Sequence, residues 1–159
     1  MDPTRRRIRK IDRDAQRFVV RALGNTHLSL SDYDMIHTVQ HRPGITQEEL
    51  RRKYAQDKST VARRAAKLEA QGYLERRPHP EDKRRKQLFI TEKGRAVRNA
   101  KVDAETFYFE WLTAELTAEE LAALCPILDR IQIRSRDERR QEFIHLLEAY
   151  AQTHSQKNA

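Results

Sequence analysis

Cysteine, glycine and long apolar runs are scarce in this chain, and each scarcity closes off a class of protein. With Cys125 as its single cysteine, the chain can form neither an intramolecular disulfide nor a multi-cysteine metal site. Four glycines and no low-complexity stretch leave little room for flexible linkers, which predicts an ordered, mostly helical chain. No apolar run approaches the roughly 20 residues that span a bilayer. The N-terminus passes from arginines into an amphipathic segment rather than the apolar core of a signal peptide, so the expectation is a cytoplasmic protein without membrane contact. Ser, His and Asp are present, but no nucleophile elbow, phosphate loop or paired-carboxylate setting surrounds them. These gaps argue against an enzyme and against a resident cofactor.

Positive charge is what the chain has in excess. Lys+Arg number 32 against 24 Asp+Glu, a formal net charge of +8 in 159 residues. That length suits one compact domain, or a small domain with helical extensions. The excess gathers at two places, Arg5, Arg6, Arg7, Arg9 and Lys10 near the start and the run Lys83 to Lys86. Clustered cations favour an anionic polymer as partner. For the terminal arginines a solvated, partly frayed end is the preferred reading over a supplementary DNA contact.

The stretch from Asp57 to Thr91 organises the rest. Val61, Ala65 and Leu68 recur at i, i+4 and i+7, so a helix beginning near Asp57 can turn one side to a core. At about 100° per residue, Ser59, Ala62, Arg63 and Lys67 point away from that stripe, flanked by Thr60 and Arg64. Gly72 suits a left-handed helix end, Tyr73 to Arg77 has the composition of a short strand, and Gln87 to Thr91 forms a second. Between them a proline-stiffened loop carries four consecutive cations and is too polar to bury. A basic loop beside a basic helix suits a phosphate backbone. Upstream, Thr46-Gln47-Glu48-Glu49 is a capping box opening a helix to about Tyr54, with Leu50 facing the core and Ala55-Gln56 as the short turn. This completes a helix-turn-helix whose first helix offers Gln47, Arg51 and Arg52 to phosphates.

Asp57-Lys58-Ser59-Thr60-Val61-Ala62-Arg63, then Leu68-Glu69, Gly72-Tyr73-Leu74, Arg76, Asp82-Lys83-Arg84 and Thr91-Glu92-Lys93-Gly94 fall in the order and spacing of the MarR family of bacterial winged helix-turn-helix transcriptional regulators. The chain resembles that family strongly from about Leu30 to Gly94 and by helical pattern on either side. The resemblance implies a homodimer whose recognition helices enter adjacent major grooves, with half-sites about 10 base pairs apart on a palindromic operator in double-stranded DNA. Repression is the default it implies. By position, Arg84 would enter the minor groove, with Asp82 as the carboxylate that orients it. The resemblance also implies a small aromatic or anionic effector between the reading and dimer lobes, for which Arg17, Tyr33, His37 and His41 are the positional candidates. His37 and His41 share a face at i and i+4, which is also metal-ligand spacing, but they lack neighbouring acids or cysteines, so no metal is expected.

In this reading the DNA contacts are Lys58, Ser59, Thr60, Arg63, Arg64 and Lys67 on the helix and Asp82, Arg84, Arg85 and Lys86 on the wing. Arg63 is the first candidate for a base edge, and Arg85 and Lys86 suit salt-dependent backbone contacts.

The flanks read as helices. Ile8, Ile11, Ala15, Phe18, Val19 and Ala22 keep a helical stripe, Gly24-Asn25 breaks it, and Ser31 with Asp34 is expected to open the next helix, which Pro43-Gly44 stops. After the wing, a long helix from Thr91 runs through Val97, Val102, Phe107 and Trp111, with Gly94 in its first turn. Thr117 with Glu120 is a second capping box, and Leu121, Leu124, Leu128 and Ile131 form a seam that also holds Cys125, expected there as inert packing. Pro126 predicts a kink or local break in it, and the charged span Arg134 to Arg140 is expected to separate it from a last amphipathic segment with Phe143, Leu146, Leu147 and Tyr150. The tail from Thr153 reads as loose. The fold class is thus mainly α with a small β-hairpin wing: a winged helix-turn-helix over 28–94 and a helical dimerisation lobe from 1–27 and 95–159. Ile8, Ile11, Leu121, Leu124, Leu128 and Ile131 are the expected dimer contacts, because a small winged domain does not need these terminal stripes to fold. The competing readings are a sequence-blind nucleoid-type DNA binder and a winged module for protein contacts.

Overall fold

The computed structural model describes residues 2–82 and 85–155, with side chains through Thr153. In order, the elements are α1 (Arg7–Ala22), α2 (Leu30–His41), β1 (Ile45–Thr46), α3 (Gln47–Tyr54), α4 (Lys58–Ala70), β2 (Leu74–Pro78), β3 (Lys86–Ile90), α5 (Glu92–Thr113), α6 (Ala118–Arg140) and α7 (Ile144–Ser155). They gather into two compact units that divide between Trp111 and Leu112. No helix among the described residues is long and apolar enough to cross a membrane.

The core of the first unit joins α2, α3, α4, the sheet and the start of α5. Ile36, Val39, Leu50, Val61, Leu68 and Leu88 are fully buried in it. Each such side chain contributes about 1.5–3 kcal/mol relative to exposure, so the apolar stripe on α4 ties that helix firmly to its neighbours. On α1, Ala15 and Val19 are buried and Phe18 stacks on Phe107 of α5 at 6.0 Å between ring centres, with Tyr108 at 5.6 Å.

Side chains fix the starts of α2, α3 and α4. Thr46 accepts from the Glu49 amide at 3.3 Å while the Glu49 carboxylate accepts from the Thr46 amide at 2.8 Å, the reciprocal box expected from the sequence. Asp57 caps α4 by accepting from the Thr60 amide at 2.8 Å. At α2 the cap falls two residues earlier than expected: Ser29 and Asp32 form the box, not Ser31 and Asp34. Both pairs share the same spacing, and burial decides between them, since Asp32 is enclosed and Asp34 is exposed.

α4 ends as expected at Gly72, whose φ of +75° is the left-handed conformation that glycine adopts without Cβ strain. The Tyr73 amide donates to Leu68 O and the Gly72 amide to Glu69 O, both at 2.9 Å, which satisfies the last carbonyls. The sheet has three strands rather than the expected two. β3 is central, antiparallel to β2 and also to the two-residue β1, with Ile45 opposite Leu88. Each hairpin strand is displaced one residue from its expected place, towards the loop, and the Thr91 amide still donates to the Tyr73 carbonyl at 3.1 Å just beyond the Leu74–Ile90 pair.

In the second unit Thr117 and Glu120 form the expected box at the start of α6. Pro126 lies inside α6 without ending it, and the helix takes in the charged span to Arg140 that was expected to interrupt it. A proline costs its own helix one amide donor and crowds the preceding turn, and here the flanking turns keep the helix continuous. The break comes later, where Glu142 and Phe143 have positive φ. α7 then runs through Ser155, so Thr153 to Ser155 are helical where a loose tail was expected, and residues 156–159 lie outside the described residues. Cys125 is exposed rather than packed. One residue along a helix is about 100° around it, which takes Cys125 off the line of Leu124 and Leu128.

Candidate nucleic-acid interface

The exposed side of α4 is short and chemically mixed. Lys58, Ser59 and Arg63 are exposed and Thr60 half-buried, on a helix whose opposite side is closed by Val61, Ala65 and Leu68. Ser59 donates its hydroxyl to Asp57 at 2.6 Å, so its donor is committed to the cap and only its acceptor capacity is left. Hydrogen bonds from Ser59 and then Thr60 hold the Asp57 carboxyl well below its ordinary value. The cap is therefore an anion throughout the neutral range, where it complements the positive end of the helix. Lys58 and Arg63 form no ion pair with any described residue.

The other two cations of α4 are engaged inside the unit. Lys67 Nζ lies 2.6 Å from Asp32 Oδ2, and Arg64 Nε lies 3.8 Å from Asp32 Oδ1 while its Nη1 donates to Gln56 at 3.0 Å. Sequence periodicity placed Lys67 and Arg64 with the DNA contacts; a helical wheel shows which way a side chain leaves the axis but not the partner it meets, and the Lys67 side chain remains 42% exposed. A carboxylate 35 residues away decides where it ends. Asp32 is the partner of both cations that sequence reasoning missed. The signal was the Ser29-x-x-Asp32 spacing, which marks a cap but not the cations that also reach it.

On α3 the expected phosphate ligands Arg51 and Arg52 both fold onto Glu48, at 2.8 and 3.2 Å, and Gln47 is half-buried. The Arg51 guanidinium, followed by Arg52, holds the Glu48 carboxyl down at about 2. α3 is braced to α2 through the Tyr54 hydroxyl, 2.9 Å from Thr38 Oγ1. Lys93 donates to Gln71 O at 2.8 Å and lies over the Tyr73 ring, so the start of α5 closes the far end of α4.

In the hairpin, the His79 amide donates to Arg85 O at 3.0 Å and the Arg85 amide to Asp82 O at 2.9 Å. Asp82, Arg85 and Lys86 are exposed there. Lys83 and Arg84 lie outside the described residues. Behind the loop, Arg77 pairs with Glu75 and covers the Phe89 ring at 4.4 Å.

Of the four positional effector candidates, only the two histidines meet among the described contacts. Tyr33 is in the core, its hydroxyl 2.8 Å from Thr26 Oγ1. Arg17 sits on α1 beside Asp14 and lines a groove of about 780 Å³ with Phe18, Val20 and Leu30. His37 and His41 are the two brought together, on the outer face of α2 with ring centres 4.4 Å apart. Partial burial first, and then the charges of His41, Arg98, Lys101 and Lys53, keep the His37 imidazole below its ordinary value of 6.5. Of the expected dimer contacts, Ile8, Ile11, Leu128 and Ile131 are exposed, and Leu121 and Leu124 are half-buried.

A helix-turn-helix packed on a three-stranded wing, with a cationic and hydroxyl-bearing helix face left open, defines a winged helix-turn-helix DNA-binding protein. The model of the MarR family matches residues 28–85. The uncharacterized HTH-type transcriptional regulator YybA of Bacillus subtilis is 32% identical over 117 residues, which cover 74% of this chain and 77% of YybA. Among solved structures, the transcriptional regulator Tm0710 from Thermotoga maritima matches with a TM-score of 0.69 at 26% identity, covering 89% of this chain and 97% of that one. A crystal structure of MarR matches with a TM-score of 0.69 at 27% identity, covering 85% and 98%. The chain belongs to the MarR family of DNA-binding transcriptional regulators.

Proposed function

We propose that this chain is a sequence-specific repressor that binds a palindromic operator as a homodimer and is released by a small effector. The observation that carries this reading is the open face of α4, where Lys58, Ser59, Thr60 and Arg63 stand clear of a helix whose other side is fully packed. Arg63 reads a base edge, with guanine O6 and N7 as the natural bidentate acceptors, and Lys58 and the hydroxyls fix the helix against phosphates. The family's pattern assigns Arg84 to the adjacent minor groove, where narrow A·T-rich flanks attract a guanidinium, and Asp82 to orienting it, while Arg85 and Lys86 hold the backbone. Residues 28–94 are the DNA-reading part; 1–27 and 95–159 form the dimer. The exposed apolar residues Ile8, Ile11, Leu128 and Ile131 support a partner copy, since such surface is costly to leave in water. An anionic effector suits the surface around His37 and His41, close to Arg98, Lys101 and Lys53. The protein acts in the cytoplasm on the chromosome and catalyses nothing.

The test is selection of bound sequences from a random duplex pool at near-physiological salt. Enrichment of one palindrome with half-site centres about 10 base pairs apart supports a dimeric sequence reader. Binding that collapses with salt and enriches nothing would make the chain a sequence-blind binder instead.

A further inference from the structure

Two cations of α4, Lys67 with a side chain 42% exposed and Arg64 with one 17% exposed, share a partner at the start of α2. Asp32 has a side chain only 4% exposed. Its Oδ2 accepts from the Ser29 amide at 2.9 Å, from the Ser29 hydroxyl at 2.8 Å and from Lys67 Nζ at 2.6 Å. Its Oδ1 faces Arg64 Nε at 3.8 Å. Arg64 in turn reaches back to Gln56 in the turn between α3 and α4. One carboxylate thus clamps two successive turns of the reading helix to α2 and, through Arg64, to the turn that sets the angle between the two helices. Lys67 and Arg64 are three residues apart, so both can reach one acceptor from adjacent turns. The geometry is demanding, because a buried carboxylate without its cations is strongly unfavourable and the helix cannot rotate or slide without breaking the contact.

We infer that Asp32 is a specificity-determining positioning residue, which fixes the register of α4 against α2 and keeps Lys67 and Arg64 off the DNA backbone. This rests on the reading of α4 as the recognition helix. Cations that bind phosphate raise affinity for every sequence alike, so a regulator that must tell one site from many gains by removing them from the interface. Lys58 and Arg63, which have no such partner among the described residues, are left to face DNA. Asp32→Asn keeps the shape and part of the Ser29 cap but cancels the charge, and frees both cations at the edge of the reading face.

The experiment measures binding of the full chain to the duplex it selects and to a scrambled duplex across a salt series, for wild type, Asp32→Asn and Lys67→Gln. For Asp32→Asn we expect a steeper dependence of log affinity on log salt, by about 0.9 for each freed cation that finds a phosphate, and a fall of roughly tenfold or more in the preference for the selected duplex. For Lys67→Gln we expect an unchanged slope with reduced preference. A slope that drops by about 0.9 in Lys67→Gln would make Lys67 a phosphate contact and overturn the inference. An Asp32→Asn chain with wild-type slope and preference would overturn it as well. If the wild-type chain enriches no sequence, the reading of a specific regulator fails, while the slopes on scrambled duplex still decide where Lys67 and Arg64 act. A double-mutant cycle in unfolding needs no DNA: coupling between Asp32→Asn and Lys67→Gln supports the clamp, and strictly additive effects refute it.

Discussion

Replacing Gly94 with alanine sets two opposed effects against each other at the joint between wing and connector helix. Gly94 lies in the first turn of α5 and its φ is ordinary for a helix, so on backbone grounds alanine should be better there by about 1 kcal/mol. Space says otherwise. A Cβ at this position would lie 2.2 Å from the Tyr73 carbonyl oxygen and 2.7 Å from Ile90 Cγ1. Relief requires α5 to move away from the base of the wing, an overpacking cost of about 1–3 kcal/mol. The same movement pulls on the two bonds that Thr91 donates, its amide to Tyr73 O at 3.1 Å and its hydroxyl to Gly72 O at 2.6 Å, which contribute about 1 kcal/mol each. Steric and hydrogen-bond losses exceed the helix gain, leaving a net destabilisation of about 2–4 kcal/mol. For a chain of 159 residues this is a fall in Tm on the order of 10 °C. Thermal unfolding at one fixed protein concentration measures it, with Gly24→Ala as the control, since nothing lies within 4 Å of a Cβ there. A Gly94→Ala chain that melts at or above the wild-type temperature would refute the close packing of α5 on Tyr73.

Arg63→Ala should weaken binding to the selected duplex by about 1–3 kcal/mol and relax preference at one position per half-site, with Tm unchanged; equal losses on selected and scrambled duplex would make it a phosphate contact. Thr46→Ala should cost about 1 kcal/mol at neutral pH by removing the cap of α3. Thr46, through its hydroxyl and then its amide, keeps the Glu49 carboxyl below its ordinary 4.5, so wild-type stabilisation is complete above that value and is lost as pH falls through the lower folded one. The gap between wild type and Thr46→Ala in urea unfolding should therefore narrow in acid, and a gap that widens would contradict the capping box. Leu50→Ala empties a fully buried site on α3 and should cost about 2–5 kcal/mol, checked by the same unfolding curves.

The order of the elements was legible from residues that act within a few positions of themselves. Thr46 with Glu49, Asp57 ahead of Thr60, Gly72 after Ala70 and the 3.6-residue recurrence of Val61, Ala65 and Leu68 are local codes, and they place α3, α4 and the hairpin before any tertiary contact is known. The charge of the open face was legible for the same reason, since Lys58, Ser59 and Arg63 diverge from that stripe by geometry alone. Tertiary structure decided what depends on distant partners. β1 exists because two residues after a turn find the edge of β3, and a two-residue strand leaves no periodicity to read. Which serine caps α2, and which of the four cations on α4 find a carboxylate within the unit, depend on the buried Asp32, which meets Lys67 across 35 residues of sequence and 2.6 Å of space.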